Sequence, residues 1–450
     1  MEPIGFRHPC YDEDAHHYFA RMHVAVAPAC NIRCKYCNRK YDCVSESRPG
    51  VVSKVLSPEQ ACASVEETLQ TLPQLTVVGI AGPGDPLANP DATFTTFGLL
   101  NGQIPGLSLC LSTNGLRLAE FADEIAAAGI NHVTVTVNAV DPEVGQHIYD
   151  WVADKGKIYR GKDAAKLLIE RQLEGIKAMA ERGVGCKINS VLIPGVNDGH
   201  LPAVAEKVKE LGAFTHNIMP LIISPGSPYE KAGMKEPSPL RVLEVQEKCA
   251  EVLPIMRHCR QCRADAVGLL GEDTSVADKG KRSTAVKRVY TPEQREEKLK
   301  ELDQLLEARR SSKSAVVHKP GTPSVRVAVA TRGGGKVNVH FGHAKEFLIY
   351  EVAGKSIKLL GVRKVQAYCN GTADCSNADG KRTILGDTAT MLADCEILLC
   401  SGIGESPSLR LKEKGIATVV RKGDIDELLL ESVKFHQYFA GGCGGAMTVS

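Results

Sequence analysis

Three cysteines on one short segment give this sequence its clearest chemical signal. Cys30, Cys34 and Cys37 are separated by three and two residues and follow an apolar stretch that predicts a strand. Thiolates at this spacing on a tight loop can bind three irons of a 4Fe-4S cube, which leaves the fourth iron open to another ligand. A structural zinc loop is the alternative, but zinc sites usually place their cysteines in two matched pairs. The spacing therefore favours a cluster with an open iron.

The composition predicts a folded protein of two or three domains, because the chain has 450 residues, 43% of them hydrophobic and 24% charged. Its net charge of +2 gives no electrostatic reason to expect a nucleic-acid partner. The sequence contains no apolar run of roughly 18 residues and no charged-then-apolar leader, so we expect no membrane association. We expect a cytoplasmic protein, in which many of the 16 cysteines bind metal and few form disulfides.

Short apolar strands alternate with amphipathic helical stretches through the first half of the chain. This alternation predicts a parallel sheet with crossover helices. Six strands are predicted over residues 22–27, 77–81, 107–111, 132–137, 186–192 and 214–219. The predicted helical stretches include residues 58–72, 118–128, 163–182 and 201–211. Periodicity alone allows a partial (β/α)6 barrel or an open doubly wound sheet, and both bind ligands at the carboxyl ends of their strands.

Polar, glycine-containing segments follow the predicted strands. Each is an ordinary turn signal by itself. Occurring in register with successive strands, they indicate a ligand-binding rim, and glycine allows the backbone to approach a ligand closely. The candidates are Gly82, Gly84 and Asp85 after the second strand, Ser112 and Asn114 after the third, Asn138 after the fourth and Ile193 after the fifth.

The cysteine triplet and these strand-end segments together resemble the radical S-adenosylmethionine superfamily. The resemblance implies a partial (β/α)6 barrel whose triplet holds a 4Fe-4S cluster, with S-adenosylmethionine bound to the open iron. The segment 81–85 resembles the family's Gly-Gly-Glu position, which meets the methionyl amine of that cofactor. The segment 191–198, which contains Ile193, resembles the part that packs on adenine.

Further cysteines and a histidine could bind additional metal. They are Cys10, His23, Cys43, Cys110, Cys259 and Cys262. The x2 spacing of the last pair suits adjacent irons of one cube, although it also suits a redox pair or half of a zinc site. A lone strand histidine is more often a core residue than a ligand, but alternation places His23 among small side chains that leave room for a bulky group. Cys62, Cys186 and Cys249 are predicted to be buried structural thiols.

The combined motifs resemble the NifB family of nitrogenase cofactor assembly proteins over roughly residues 6 to 270. The shared motifs are His-Pro-Cys-Tyr at 8–11, the cysteine triplet, Glu-Ser-Arg-Pro at 46–49, the glycine segment at 81–85 and the late Cys-x2-Cys. The resemblance implies two further 4Fe-4S clusters, which are substrates fused into an eight-iron core around a carbide. By the same resemblance, His23, Cys43 and Cys110 would hold one substrate cluster, and Cys10, Cys259 and Cys262 the other.

The implied reaction uses S-adenosylmethionine twice. One molecule would methylate a sulfide of a substrate cluster. Reductive cleavage of a second molecule would give a 5′-deoxyadenosyl radical, which would abstract a hydrogen atom from that methyl group. The carbon and one added sulfur would then be incorporated as the two clusters fuse. Glu46 and Arg48 are candidate catalytic residues that orient substrate or shuttle a proton, and an exposed ion pair is the equal alternative. The implied partners are a cluster donor, a cofactor-receiving assembly protein and an electron donor such as ferredoxin or flavodoxin.

The sequence predicts three segments, 1–270, 271–323 and 324–450. The middle one is a charged linker with one helical stretch over 292–310. The last has the size of a single fold and resembles the NifX and NafY family of cofactor carriers, which implies an α/β ribonuclease-H-like fold. His340 and His343 are candidate ligands there for a transferred cluster, together with Cys369, Cys375 and Cys443, and a histidine that caps a turn is the equal alternative.

Two other functions stay open on the sequence alone. A radical S-adenosylmethionine enzyme that modifies peptides or sulfatases would normally have a longer cysteine array after the barrel than Cys259 and Cys262. A non-catalytic iron–sulfur carrier is supported by the last domain by itself. Cleavage of S-adenosylmethionine separates the carrier from the enzymes, and iron content separates the two enzymes.

Overall fold

The first unit of the chain is built on a sheet of parallel strands, as the sequence predicts. The computed structural model describes residues 7–43, 51–271, 274–275, 289–314, 323–367 and 378–440. Its contacts divide the chain into two units, residues 1–302 and 303–450. The strands of the first unit are β1 (Ala20–His23), β2 (Ile32–Cys34), β3 (Leu75–Ile80), β4 (Ser108–Thr113), β5 (Ile130–Thr136), β6 (Tyr149–Asp154), β7 (Lys157–Arg160), β8 (Gly185–Leu192), β9 (Thr215–Pro220), β10 (Ala266–Gly268) and β11 (Thr274–Ser275).

The main sheet has the strand order of a half-barrel. Strands β1, β3, β4, β5, β8 and β9 are parallel neighbours in that order, and antiparallel β10 and β11 extend the sheet beyond β1. Each new strand lies beside its predecessor, which confirms the predicted partial barrel over the doubly wound alternative. The helices are α1 (Pro58–Thr71), α2 (Pro90–Gln103), α3 (Ala122–Ala127), α4 (Pro142–Gly145), α5 (Gly161–Glu181), α6 (Leu201–Glu210), α7 (Pro228–Lys231), α8 (Pro239–Ala250) and α9 (Pro292–Ser314).

Capping residues explain where these helices begin. Ser57 and Gln60 form a capping box at the start of α1, in which each side chain bonds the backbone N–H of the other, and Pro58 occupies the first helical position. Ser227 and Ser238 cap α7 and α8, which also start with proline.

Alternation along the strands separates two faces of the sheet. Met22, Val78, Leu109 and Val133 belong to the apolar core that packs beneath the helices. The buried thiols of Cys62, Cys186 and Cys249 confirm their prediction as structural residues. The intervening strand positions face the barrel interior, and they carry Arg21, His23, Gly79, Cys110, Ser112, Thr134 and Lys187. The interior is therefore polar, whereas the helix side is apolar.

A second, antiparallel sheet was not predicted from the sequence. Strand β6 pairs with β2, where Tyr149 lies opposite Cys34, and β7 pairs with β6. Lys155 and Gly156 join β6 to β7 with φ angles of 47° and 76°. Two consecutive positive φ values are typical of a type I′ hairpin loop, so the Lys-Gly pair between alternating segments is a signal that could have predicted this hairpin. The pairing holds residues 32–34 of the cysteine loop as a strand.

The second unit is a separate α/β domain. Its main sheet has the order β15-β14-β12-β16-β17, in which β14 is antiparallel to both of its neighbours. This is the arrangement expected of a ribonuclease-H-like fold. The elements are β12 (Ser324–Val329), β13 (Lys336–Val337), β14 (Glu346–Ala353), β15 (Ser356–Lys364), α10 (Ala378–Met391), β16 (Ile397–Cys400), α11 (Glu405–Glu413), β17 (Ala417–Val420), β18 (Gly423–Asp424) and α12 (Ile425–Ala440).

Helix α9 contains the division between the two units, which falls after Leu302. The guanidinium of Arg295 donates to the carbonyl of Leu75 in the first unit, and Arg309 pairs with Asp426 in the second. The assignment of residues 271–323 as a linker stays a prediction. None of the helices that the structure describes has both the length and the apolar character needed to cross a membrane.

Gln172 on α5 gives a test of how the strand ends are held. It is fully buried, and its Nε2 donates to the carbonyls of Asn114 and Thr136 at 2.8 and 2.7 Å. Gln172→Met keeps the size but leaves two buried carbonyls without this donor, so we expect the free energy of unfolding to fall by about 1–3 kcal/mol. Trp151 is the only tryptophan of the chain and lies in the first unit. Urea unfolding of the metal-free protein, monitored by the fluorescence of Trp151, measures the change in the free energy of unfolding.

The matched control is Gln70→Met at an exposed position of α1, which should change the free energy of unfolding by less than about 0.5 kcal/mol. Equal effects of the two substitutions would show that the two carbonyl contacts do not stabilise the barrel.

Candidate cluster and S-adenosylmethionine site

The three loop cysteines line one cavity at the carboxyl ends of the parallel strands. The cavity encloses about 520 Å³ of space not filled by protein atoms, part of which is open to solvent. The structure therefore brings the triplet together with four of the predicted cofactor-binding residues. The predicted residues around the cavity are Cys30, Cys34, Cys37, Cys43, Gly84, Asp85, Ser112 and Asn114.

Cys37 is buried, whereas Cys30 and Cys34 are partly buried, and their surroundings raise the pKa values of these last two thiols. Burial, followed by the negative charge of Asp85, raises the pKa of Cys30 to about 12. Burial, followed by Cys37, raises the pKa of Cys34 well above its usual range. Thiols with such pKa values keep their protons until a metal displaces them. Within the described residues, no three His, Cys, Asp or Glu side chains converge as a single metal ion requires, whereas the ligands of a cube bind separate irons.

Asp85 fastens the ends of two neighbouring strands. Its carboxylate accepts hydrogen bonds from the Thr113 hydroxyl at 3.0 Å, the backbone N–H of Asn114 at 2.6 Å and that of Leu87 at 2.9 Å. Burial raises the pKa of this carboxyl group, and the bonds from Asn114 and Thr113 act in the opposite direction. These contacts give Asp85 a positioning role, and its binding of the methionyl amine stays a prediction.

Asn114 connects the end of β4 to the cysteine loop. Its side-chain Nδ2 donates to Oδ1 of Asn31 at 2.7 Å and lies 3.9 Å from the sulfur of Cys30. Asn31 was not among the predicted site residues, although its place directly after Cys30 is a signal for this role. The asparagine pair fixes one cysteine relative to the rim of the sheet.

Each glycine of the segment 82–85 is required for its own reason, which is close backbone approach at Gly84 and a positive φ at Gly82. The N–H of Gly84 donates to the carbonyl of Ala27 at 2.6 Å, and a Cβ at position 84 would lie 2.0 Å from the carbonyl oxygen of Ala29. Gly82 has a φ of 146°, which favours glycine. These contacts press the segment against the chain that leads into Cys30.

Asn138 and Ile193 are not among the residues that line this cavity. Both are fully buried. Asn138 donates to the Tyr36 hydroxyl at 2.9 Å and accepts from the N–H of Val191 at 2.8 Å, while the N–H of Ile193 donates to Asn197 at 2.7 Å. These bonds fix Tyr36 in the cysteine loop and the segment after β8. A direct contact of either residue with the cofactor stays a prediction.

His23 and Cys110 face each other across a glycine in the barrel interior. In the sheet, Gly79 of β3 pairs with His23 of β1 on one side and with Cys110 of β4 on the other. A Cβ at position 79 would lie 2.6 Å from the Cys110 sulfur and 3.2 Å from Cδ2 of His23. The structure thus brings these two predicted ligands together. Cys43, the third predicted member of this set, lines the cavity of the triplet instead.

Cys10 and Cys262 meet at another place in the first unit, where they pack with Ala266 and Leu270. Their predicted companion Cys259 packs against the apolar core around the cysteine loop. Gln261, between the two late cysteines, has a φ of 49°, and this left-handed backbone turns the chain between them. The assignment of Cys10, Cys259 and Cys262 to one substrate cluster stays a prediction.

The segment that carries Cys10 is anchored inside the barrel by aromatic contacts. The Tyr11 ring stacks on His132 at 4.7 Å, and its hydroxyl lies 3.1 Å from that of Thr134. Burial, followed by the charge of Lys187, lowers the pKa of His132 to about 4. Tyr11, His132 and Lys187 were not predicted as site residues, because only the fold brings them together.

Glu46 and Arg48 lie in the segment 44–50, outside the described residues. The residues on either side of it are held together, since the Asp42 carboxylate accepts from the N–H of Ser53 at 3.0 Å. In the second unit, the His340 and His343 rings lie 5.5 Å apart, and Nδ1 of His340 accepts from the N–H of Gly342. Their predicted companions Cys369, Cys375 and Cys443 also lie outside the described residues.

Comparison with known proteins identifies the class and then the family. The Radical SAM superfamily model matches residues 24–208, which include the cysteine triplet and strands β2 to β8. This is a radical S-adenosylmethionine enzyme, a class that uses a 4Fe-4S cluster and S-adenosylmethionine, and the cavity lined by the triplet fits these groups. A second model, described as dinitrogenase iron-molybdenum cofactor, matches residues 323–434.

The FeMo cofactor biosynthesis protein NifB of Herbaspirillum seropedicae is 49% identical over 427 residues, which are 92% of this chain and 79% of that protein. The NifB of Azotobacter vinelandii is 48% identical over 424 residues, 91% of this chain and 84% of that protein. The chain belongs to the NifB family and acts in FeMo cofactor biosynthesis. This confirms the resemblance drawn from the motifs and sets aside the peptide-modifying and carrier-only alternatives.

Gly84→Ala tests the close backbone approach beside the triplet. The added Cβ would overlap the Ala29 backbone, so we expect the chain before Cys30 to be displaced. The anaerobically reconstituted variant should lose most of the change in its electron paramagnetic resonance spectrum that S-adenosylmethionine causes in the wild type. Gly102→Ala on α2 is the control, because its Cβ would meet no atom within 4 Å. An unchanged response in Gly84→Ala would contradict this role of the glycine.

Proposed function

We propose that this chain fuses two 4Fe-4S substrate clusters and inserts a carbide, giving the eight-iron precursor of the nitrogenase cofactor. The observation that carries the proposal is that His23 of β1 and Cys110 of β4 lie on either side of Gly79, in the sheet whose β3 and β4 ends line the cavity of the cysteine triplet. The resident cluster, when bound by the triplet, would supply the electron for reductive cleavage of S-adenosylmethionine. The residues of the chain position the substrates around that chemistry and exclude water.

Short stretches of β3 and β4 connect the His23 and Cys110 pair to the cavity of the cysteine triplet. Gly79 and Gly84 are five residues apart, so their Cα atoms are separated by at most about 18 Å. Cys110 and Asn114 are four residues apart, which limits their Cα separation to about 14 Å. A substrate cluster held between His23 and Cys110 would therefore lie in the same barrel as the cavity, at a distance that a rigid sheet keeps constant.

The surroundings of His23 suit a metal ligand. Its Nδ1 lies 3.1 Å from the carbonyl oxygen of Arg263, and a carbonyl can only accept. Nδ1 therefore carries the proton, which leaves the lone pair of the neutral ring on Nε2. A hydrogen bond from the other ring nitrogen to a carbonyl is the usual way in which proteins orient a histidine ligand. Gly79 supplies the space between this ring and the Cys110 thiol.

The second substrate cluster is assigned to Cys10, Cys259 and Cys262. The packing of Cys10 with Cys262 supports the assignment of these two. Cys43 is assigned to the His23 and Cys110 cluster, and its place in the cavity wall suits a ligand that lies between the two centres. Glu46 follows Cys43 by three residues and Arg48 by five, and we assign them to substrate orientation or proton transfer.

The second domain is proposed to hold the product and hand it on. Its match to the dinitrogenase iron-molybdenum cofactor family supports this role. The partners would be a cluster donor, an assembly protein that receives the product, and a ferredoxin or flavodoxin as electron donor. Methyl transfer, cleavage of S-adenosylmethionine and carbide insertion would all take place in the first unit.

Two cysteine substitutions test the division of labour. Cys34→Ala removes a ligand of the resident cluster, so formation of 5′-deoxyadenosine from S-adenosylmethionine should fall to background. Cys110→Ala removes a proposed substrate-cluster ligand, so the protein should lose about four irons per chain and make no fused cluster. It should keep the spectroscopic response to S-adenosylmethionine. Iron analysis, product analysis and electron paramagnetic resonance measure these effects.

Cys186→Ala is the matched control, because this thiol is also buried but lies on the helix side of the sheet. It should keep both the iron content and 5′-deoxyadenosine formation. Retained 5′-deoxyadenosine formation in Cys34→Ala would contradict the resident-cluster assignment. Unchanged iron in Cys110→Ala would contradict the assignment of the substrate cluster.

A further inference from the structure

Two arginine side chains are completely enclosed in the first unit. Arg21 and Arg260 are the largest of the side chains that are less than 2% exposed among the described residues. A buried guanidinium is strongly destabilising unless anions or hydrogen-bond acceptors surround it. Both residues are close to proposed cluster ligands along the chain, since Arg21 is two residues before His23 and Arg260 lies between Cys259 and Cys262.

The Arg21 guanidinium contacts a backbone carbonyl and the thiol of a proposed cluster ligand. Its Nη1 donates to the carbonyl of Gly268 at 2.6 Å, and its Nη2 donates to the sulfur of Cys262 at 2.8 Å. Gly268 has a φ of 127° and pairs with Arg21 between β10 and β1. The carbonyl contact fixes the planar guanidinium, so that its second donor is directed at the thiol.

The same region contains further buried basic groups. His258 lies next to Cys259, and its ring stacks on that of His16 at 4.9 Å. Burial first, and then the charges of His17, His258 and Arg260, hold the pKa of His16 well below its usual range. The burial contribution disfavours any charge, but the positive charge of the buried Arg260 beside these histidines would be offset by an anion. A 4Fe-4S cube with thiolate ligands is anionic.

We propose that Arg21 is a positioning residue for the substrate cluster that Cys262 binds, to whose sulfur it donates a hydrogen bond and near which it supplies positive charge. The inference rests on the proposed function, because it requires a cluster at Cys262. Hydrogen bonds to cluster sulfurs and nearby positive charge stabilise the more reduced, more negative state of a cluster. Arg21 therefore raises the reduction potential of this one cluster and orients its cysteine ligand.

The test uses the full chain, reconstituted anaerobically, with iron analysis and a potentiometric titration followed by electron paramagnetic resonance. In Arg21→Gln, either the midpoint potential of one cluster should become more negative or iron should fall by about four per chain. The signal that responds to S-adenosylmethionine should be unchanged. Arg21→Lys keeps the charge but cannot reproduce the forked contact, so its potential should lie between those of the wild type and Arg21→Gln.

Arg257→Gln is the matched control. Arg257 is also a buried arginine of this segment, but the structure shows it paired with Glu247 at 2.9 Å. Its replacement should leave all cluster potentials unchanged. In a Cys262→Ala background, Arg21→Gln should have no further effect on potentials or iron content, because residues that act through one contact are not additive.

Several results would overturn the inference. Unchanged iron and unchanged potentials in Arg21→Gln would show that the guanidinium does not act on a cluster. Equal loss of all cluster signals would show that it only holds the barrel together. An effect that persists in the Cys262→Ala background would place its action elsewhere. A wild-type protein with only about four irons per chain would contradict the proposed function itself, and the inference with it.

Discussion

Strand alternation in β3 and β4 is the constraint on which both candidate sites depend. One set of side chains, which includes Val78, Leu109 and Leu111, packs into the apolar core beneath the helices. The alternate positions then have to face the interior, where they carry Gly79, Cys110 and Ser112. A shift of one residue in either strand would exchange the two sets and expose the apolar side chains to the interior. The burial of the core therefore fixes the positions of the groups that do chemistry.

Two glycines leave space near the candidate ligands, and buried hydrogen bonds hold the surrounding strand ends in place. Gly79 leaves a gap between His23 and Cys110, and Gly84 allows two backbone segments to touch beside Cys30. Asp85 holds the strand ends around the cavity through bonds to Thr113 and Asn114. Because the Asp85 carboxylate accepts its hydrogen bonds from groups of the protein itself, the ends of β3 and β4 are organised before any ligand binds.

The sequence predicted those features that have a local signal. The six parallel strands follow from apolar periodicity, and the gathering of the three loop cysteines around one cavity follows from their spacing. The buried thiols follow from their places inside elements. The β6–β7 hairpin was missed, although the positive φ values of Lys155 and Gly156 have a recognisable sequence signature. Its strands are only partly buried, so hydrophobic periodicity gives little signal there.

Features that depend on contacts between distant segments could not be predicted. The stacking of Tyr11 on His132 joins residues 121 positions apart, and the bond from Arg21 to Cys262 spans 241 positions. The different surroundings of Cys259 and Cys262 depend on one left-handed residue between them. Composition and spacing treat such residues as ordinary core or loop positions, since their roles arise only when the sheet closes into a half-barrel.

The central claim is that one half-barrel holds a resident cluster and two substrate clusters. Its most direct test is the iron content of the full chain after anaerobic reconstitution, with electron paramagnetic resonance before and after S-adenosylmethionine is added. We expect about twelve irons per chain, a response to S-adenosylmethionine from one cluster only, and a new fused-cluster signal after reduction. About four irons per chain, all responding to S-adenosylmethionine, would contradict it.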